Sequence, residues 1–269
     1  ENEKRFKELG GPVDESNKTN QQLAEQITAG LPKGVKITGA KNTGGIGKSA
    51  LLDMGIDPKT DPTDLIVNYN PPKNGRMKIS AKTYTDPSHI TMKNSGARRV
   101  GSEYLGDEKF DSDIQTILGK PEYNYREEGI SKEESTTRKR ALKEEYVDAM
   151  GTKMQKMADT EEGQQQFEDM WKKVHGCGKK VHTSVVNKTT GETTLHPPDY
   201  YCKPARPFKV IKNGTSLTVQ LDDDGEDSVE IVLKTEKTGT KLLFNHLKRE
   251  PKEKEAKEQY ESLEGMISR

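Results

Sequence analysis

DLIVNYNPPKNGRMKISAKTY, residues 64–84, is the stretch on which the fold turns. Two runs, DLIVNY (64–69) and RMKISAKTY (76–84), flank the Pro/Asn/Gly cluster NPPKNG (70–75). Strand-forming runs on either side of turn residues predict a β-hairpin. In the second run Met77, Ile79, Ala81 and Thr83 alternate with Lys78, Ser80, Lys82 and Tyr84. Strand side chains project to opposite faces in turn, so one face is mostly apolar and the other polar. Asp64 opens the first strand, and Ser80 and Lys82, two residues apart, share the polar face of the second.

Just upstream lies NTGGIGKSALLD, residues 42–53, which looks like a phosphate-binding loop running into a helix. The pattern G-x-x-x-x-G-K-[ST] uses glycines so that backbone N–H groups wrap the phosphates. Aligned on Gly47-Lys48-Ser49, its first glycine falls on Asn42, and the variant that needs Lys at 43 meets Thr43. The segment that would lead into the loop, GVKIT (34–38), is short and half polar. Nucleotide binding is therefore a third-ranked reading, behind a flexible Gly/Ser loop and behind what the hairpin supplies.

Further out, residues 16–29 read as a helix capped by Ser16 or Thr19, with Leu23, Ala24 and Ile27 as its apolar stripe and Gly30 and Pro32 at its end. Residues 95–105 could start a short helix. Ser131 with Glu134 forms a capping box for a charged helix through about residue 149. A helix over roughly 160–175 carries Phe167, Met170, Trp171 and Val174 on one side and stops at Gly176. Residues 180–248 then read as strands (VHTSVV, PFKVI, SLTVQL, SVEIVLK, KLLFNHL) separated by turn clusters, and 249–262 as a charged tail. No internal repeat is present.

Composition bounds the rest. Of 269 residues, 29% are hydrophobic and 33% charged, so the core must be modest and wrapped in polar loops and helices. Forty-four basic residues balance forty-four acidic ones; any basic binding face must be local. No run approaches a membrane span, and the first residues lack a signal-type apolar stretch, so a cytoplasmic protein with no membrane partner is expected. Two cysteines are too few for a disulfide scaffold, which fits a reducing compartment.

The order acid, strand, turn, strand, x-Lys resembles the PD-(D/E)xK, or restriction-endonuclease-like, nuclease superfamily, in a Ser-x-Lys variant. The motif covers Asp64 through Lys82, and the resemblance stretches over about residues 20–105. IGKS (46–49), DPTDLIV (61–67), KISAK (78–82) and NSGARR (94–99) match, in order, segments of phage and restriction enzymes that look like this. The resemblance implies an α+β fold with a restriction-endonuclease-like core, and a metal-dependent DNA endonuclease of restriction or phage type. It also implies Mg2+, with Mn2+ able to substitute. Asp64 and the Ala81 carbonyl would hold the metal; oxygen ligands suit magnesium. Lys82 would orient the attacking water and stabilise negative charge. Asp61, in the same DPTD segment, is a neighbouring candidate. Ser80 stands where the family has Glu or Asp, so a carboxylate from elsewhere is expected to complete the site. Glu103, after Arg98-Arg99, and Glu25, on the N-terminal helix, compete for that role, with Glu103 slightly favoured. If neither reaches the metal, the chain is a catalytically inactive relative. Lys48, Ser49, Lys93, Arg98 and Arg99 are the expected DNA contacts, and a homodimer is an open expectation for a double-strand cutter.

Other groupings are weaker. His175, Cys177, His182, His196 and Cys202 offer zinc-type ligands, with structural Zn2+ at Cys177/His182/Cys202 one option, but their spacings do not match a compact finger. Reduced cysteines are the expected state. DDDGED (222–227) lacks the first acid of a calcium loop and reads as a hairpin turn. Arg138-Lys139-Arg140 and Lys203 with Arg206 are further basic spots. The expected organisation is a nuclease-like core at 1–130, a helical segment at 131–176, a strand-rich part at 177–248 that completes the core sheet or recognises DNA, and a tail at 249–269. The rival to the endonuclease is a structural or assembly protein, such as one of a phage particle.

Overall fold

The computed structural model describes residues 18–31, 33–57, 61–70, 75–85, 89–202, 207–221 and 227–248. The protein is α+β, and the described residues form two five-stranded sheets. Its chain divides into two compact units. One is built from residues up to Ile90 and from Gly176–Tyr201; the other from Thr91–His175 and Cys202–Lys248.

The hairpin lies at the centre of the first unit. Strand β1 (Lys36–Asn42) pairs antiparallel with β2 (Leu65–Asn70), and β2 antiparallel with β3 (Gly75–Tyr84). β3 then pairs parallel with β5 (Val181–Asn187), which pairs antiparallel with β6 (Thr193–His196). The sheet order is β1-β2-β3-β5-β6. Parallel neighbours need a long crossover; here it holds β4 (His89–Gly96) and the helices of the second unit. The proposed turn at residues 71–74 lies outside the described residues. At its far end, a Cβ on Gly75 would run into the Tyr69 ring, its cross-strand partner.

Helix α1 (Lys18–Ala29) covers one face of this sheet. The stripe read from its spacing is buried: Ala24 and Ile27 pack with Ile37, Ala40, Leu65, Val67 and Ile79, and Leu23, Leu31, Met77 and Leu195 fill the margins. Each fully buried aliphatic side chain contributes roughly 1.5–3 kcal/mol. Polar contacts fix the helix against β6: Gln26 Nε2 donates to the Thr193 carbonyl (2.5 Å), and the Thr193 N–H donates to Gln22 Oε1 (2.9 Å). On the opposite face a smaller cluster of Leu51, Ile56 and Ile66, flanked by Ile46 and Met54, seats the six-residue helix α2 (Lys48–Asp53).

In the second unit the sheet order is β4-β10-β9-β8-β7, with β7 (Phe208–Asn213), β8 (Ser216–Leu221), β9 (Asp227–Glu236) and β10 (Gly239–Lys248) forming an antiparallel meander. Helices α3 (Glu108–Leu118), α4 (Lys132–Ala158) and α5 (Glu161–His175) accompany it. α4 begins where its capping box places it, the Ser131 side chain accepting from Glu134 N–H, but runs on to Ala158 because Met150, Met154 and Met157 continue the buried side. Gly151 lets α4 approach the sheet closely: a Cβ there would lie 2.7 Å from Leu217 Cδ2. Phe167, Met170, Trp171 and Val174 of α5 are all buried, and Gly176 follows with φ +70°.

Three elements escape the sequence reading. β4 is largely polar, β6 is short and polar, and α3 carries Phe110, Ile114 and Ile117 among charged residues behind an Asp107 cap. Residues 97–105 form a 3-10 turn and a π turn instead of a short α-helix. The unit boundaries also fall elsewhere than expected. β5 and β6 complete the first sheet, whereas residues 91–130 belong with the helices and β7–β10. The cap Ser16, the acidic run 222–226 and the tail lie outside the described residues. No helix among the described residues is long and apolar enough to cross a membrane.

Candidate active site

Register settles which residues meet. Leu65 pairs with Ile79, and the Asp64 N–H donates to the Ile79 carbonyl at 2.8 Å. Leu65, Val67, Met77 and Ile79 face α1. By alternation Asp64, Lys78, Ser80 and Lys82 project from the other face. Asp64 and Lys82 therefore share a side, as the hairpin reading requires.

Asp64 folds back onto the start of the Ser-x-Lys segment. Its Oδ2 accepts the Ala81 N–H at 2.7 Å and the Ser80 hydroxyl at 3.2 Å. Ser80 is 2% exposed, Asp64 is exposed, and Lys82 is half-buried. In a strand, the N–H and C=O of one residue point to the same edge. β2 pairs with β3 only as far as Leu65–Ile79. The Ala81 carbonyl thus lies beyond the last rung of that ladder, on the edge where its N–H meets Asp64. Among the described residues no cationic side chain forms an ion pair with Asp64.

Asp61 is handled differently. Lys78 Nζ lies 2.8 Å from its Oδ2, and Thr63 donates to its Oδ1 through both N–H (3.0 Å) and hydroxyl (2.5 Å). Its side chain is 4% exposed. A buried carboxylate is stable only with such partners. Asp61 is therefore a turn-forming, ion-paired residue, and Asp64 is the acid left open.

The Gly/Lys/Ser segment is tied to the same strand start. The Thr43 N–H donates to the Asp64 carbonyl (2.9 Å), and the Thr43 hydroxyl to the Thr63 carbonyl (2.9 Å). Thr43, which disqualified the phosphate-loop variant, is what positions Asp64 from behind; sequence reasoning missed this role. Lys48 and Ser49 follow as exposed first residues of α2. β1 leads into this segment as an edge strand, and the Gly44 N–H is spent on the Asn42 side chain (2.8 Å). Both features weigh against a phosphate-wrapping loop.

The remaining expected residues lie on other elements. Glu25 is exposed on α1, the helix that covers the face opposite Ser80 and Lys82. Glu103 belongs to the second unit, where Ser95 Oγ donates to its Oε2 (2.8 Å) and Arg99 Nε lies 4.0 Å from its Oε1. Lys93, Arg98 and Arg99 also belong to that unit, with both arginines exposed. Arg138 pairs with Glu127 and Glu134, and Arg140 with Glu144; Lys203 and Arg206 lie outside the described residues.

A structural zinc centre at Cys177/His182/Cys202 does not form, because both cysteines are disulfide-bonded. This also corrects the expectation of reduced thiols. Closing a loop of about 25 residues in this way is worth on the order of 3 kcal/mol. His175 has its Nδ1 against the Trp171 carbonyl (2.9 Å) and its Nε2 against His246 Nδ1 (3.1 Å), and His196 stacks on Tyr200.

Does the hairpin suit a divalent cation? Among the described residues no three His, Cys, Asp or Glu side chains converge. Asp64 and the Ala81 carbonyl supply two oxygen donors of the type Mg2+ prefers, and Mg2+ keeps several of its waters. The donors fit a lightly held magnesium, with one carboxylate where the motif calls for two. Comparison with protein-family models, curated proteins and solved structures finds no match to this chain.

Proposed function

We propose that the first unit carries a metal-dependent phosphodiester hydrolase site, a DNA endonuclease with a restriction-endonuclease-like core. One observation carries the reading: Asp64 is locked onto Ser80 and Ala81 of the adjacent strand while Lys82 projects from the same face. Asp64 and the Ala81 carbonyl would hold Mg2+ or Mn2+, which supplies an acidified water and offsets charge on the phosphate. The chain's own residues do the rest. Ser80 and the Ala81 N–H hold the Asp64 carboxylate in one orientation. Thr43 braces the backbone behind it. Lys82 orients the attacking water and stabilises the oxyanion as charge develops.

The test is incubation of supercoiled plasmid with purified protein in millimolar Mg2+ or Mn2+, beside Asp64→Asn and Lys82→Ala proteins checked for folding by circular dichroism. Metal-dependent nicking lost in both variants supports the site. Equal cutting by wild type and Lys82→Ala sinks it.

Ser80 favours a second reading, an inactive structural or assembly protein built on the same hairpin. A buried hydroxyl occupies the ligand position, and Glu25, the candidate acid of the first unit, lies on the helix that covers the opposite face of the sheet. No cleavage under any metal, with intact folding, would select it.

A further inference from the structure

The second unit holds a polar cluster that the hydrolase site does not use. Lys93 and Ser95 lie two apart on β4 and so share a face. The π turn Gly101–Leu105 brings Glu103 and Tyr104 to them, and α5 adds Lys173. Tyr104 is 4% exposed, with its ring against Phe244 at 4.6 Å between centroids. Lys173 Nζ stands 4.9 Å from the centre of the Tyr104 ring and donates to the Glu103 carbonyl at 2.6 Å. The ammonium is thus fixed over the phenol.

Two features of the cluster are incomplete. The Tyr104 hydroxyl is buried, and among the described residues no acceptor completes it. Ser95 lies within hydrogen-bonding range of the phenol and works against the upward shift that burial gives it, but the Ser95 hydroxyl proton goes to Glu103, and the geometry leaves the Tyr104 O–H without an aligned acceptor. Lys93 makes no ion pair among the described residues. Burial pushes its pKa below the ordinary lysine range, the charge of Lys173 lowers it further, and Glu103 offsets only part of this. Glu103 is the acid that acts on Lys93, and Ser95 and Arg99 already draw on it. A half-buried lysine and an exposed one, beside a buried hydroxyl donor without an aligned acceptor, are the complement of an oxyanion. An unpaired buried donor is unfavourable unless a ligand completes it.

We infer that Lys93, Lys173 and the Tyr104 hydroxyl form a binding site for a phosphate group on the second unit. The two ammoniums supply charge, and the phenol supplies a directed O–H donor. The group is a free phosphate or monoester, or a phosphate of a nucleic-acid backbone; both present the same oxygens. Such a site does not depend on the first unit cutting DNA, and its test reads binding alone.

Inorganic phosphate is titrated by isothermal calorimetry into the full chain and into Lys93→Met, Lys173→Met and Tyr104→Phe proteins. A fluorescent DNA duplex without terminal phosphates is titrated by anisotropy in EDTA, which keeps any metal-dependent cleavage out of the readout. Each lysine variant is expected to weaken binding at least tenfold, since a charge-assisted contact is lost. Tyr104→Phe keeps the ring against Phe244 and under Lys173, and removes only the oxygen. It should weaken phosphate binding severalfold without lowering the melting temperature, because deleting an unpaired buried hydroxyl costs the free protein nothing. Binding of phosphate alone assigns a free phosphate or monoester; lysine-dependent binding of the duplex assigns the backbone. If neither probe binds, or if binding is the same in all three variants, the inference is overturned. A folded Tyr104→Phe protein keeps the site testable even if a lysine variant fails to fold.

Discussion

The two polar clusters are opposites in sign. In the first unit Asp64 is a carboxylate held by an N–H and a hydroxyl, with no cation paired to it among the described residues. In the second unit Lys93 and Lys173 crowd round one carboxylate that is already engaged. Several other charges are paired locally. Asp61 takes Lys78, Asp107 takes Lys153, Glu145 takes Lys120, and Glu236 takes Lys234 and Lys241. What sets the two clusters apart is that their open groups sit beside strongly placed polar partners instead of an opposite charge. The acid lacks a cation and the cations lack an anion, which is why one cluster reads as a metal site and the other as a phosphate site.

The contrast breaks most visibly in cleavage. Asp64→Asn keeps the size and the acceptor oxygen but loses the charge, and Lys82→Ala loses the group proposed to face the water. Each is expected to lower metal-dependent nicking by at least about a thousandfold, in the range seen when a preorganised charge is removed from a transition state. Lys78→Ala should instead cost stability and leave residual cutting, because its charge is spent on Asp61. Equal loss in Lys78→Ala and Lys82→Ala, at matched folding, would erase the distinction between the paired and the open acid.

Ser80→Asp sharpens the metal half. It puts a second carboxylate, at a position 2% exposed, beside Asp64 and removes the hydroxyl that Asp64 accepts from. Without metal this should destabilise the protein by about 1–3 kcal/mol, read from urea melts in EDTA. Millimolar Mn2+ should restore that loss and stabilise the variant more than wild type, since a ligand that binds only the folded state adds stability in proportion to its affinity. A variant that is destabilised and indifferent to metal would show that Ser80 is a packing residue only.

How much of this was written in the sequence follows from which signals are local. The hairpin, the faces of β3, the α1 stripe and the α4 cap rest on period and turn chemistry, and all four stand in the structure. Asp64 and Lys82 were legible for the same reason, being placed by alternation alone. Partners that depend on tertiary register were not. Nothing near Thr43 in sequence says that it braces Asp64, and nothing near Asp61 names Lys78, 17 residues on. Glu25 looked usable because it flanks the buried stripe, but a helix face does not say which side of a sheet it covers. The disulfide was missed because a pair of cysteines says little about its own redox state. The crossover after β3 hid the two-unit division, since a strand-rich stretch at 177–248 does not announce that its first two strands return to the earlier sheet.

The smallest expected effect concerns the layer behind the acid. His182 sits on β5 beside Ile79, on the α1 side of the sheet, and among the described residues its buried Nδ1 has no partner. Burial lowers its pKa from the ordinary histidine value, and a backbone contact with Lys78 opposes this only in part. A histidine whose folded pKa is depressed stays neutral in the native protein while the unfolded chain takes up a proton. Its contribution is therefore complete above about pH 6.5, the unfolded value, and is lost as pH falls from there through the lowered native value. Urea melts at steps between pH 7.5 and 5 should show wild type losing stability faster than His182→Gln, which cannot titrate. The gap between the two proteins should change over that window alone and stay constant above it. Parallel pH profiles would place the histidine in a solvated setting and remove it from the buried layer that supports the Asp64 face. A gap that opens instead toward high pH would mean that His182 gains a proton on folding, the reverse of what burial imposes.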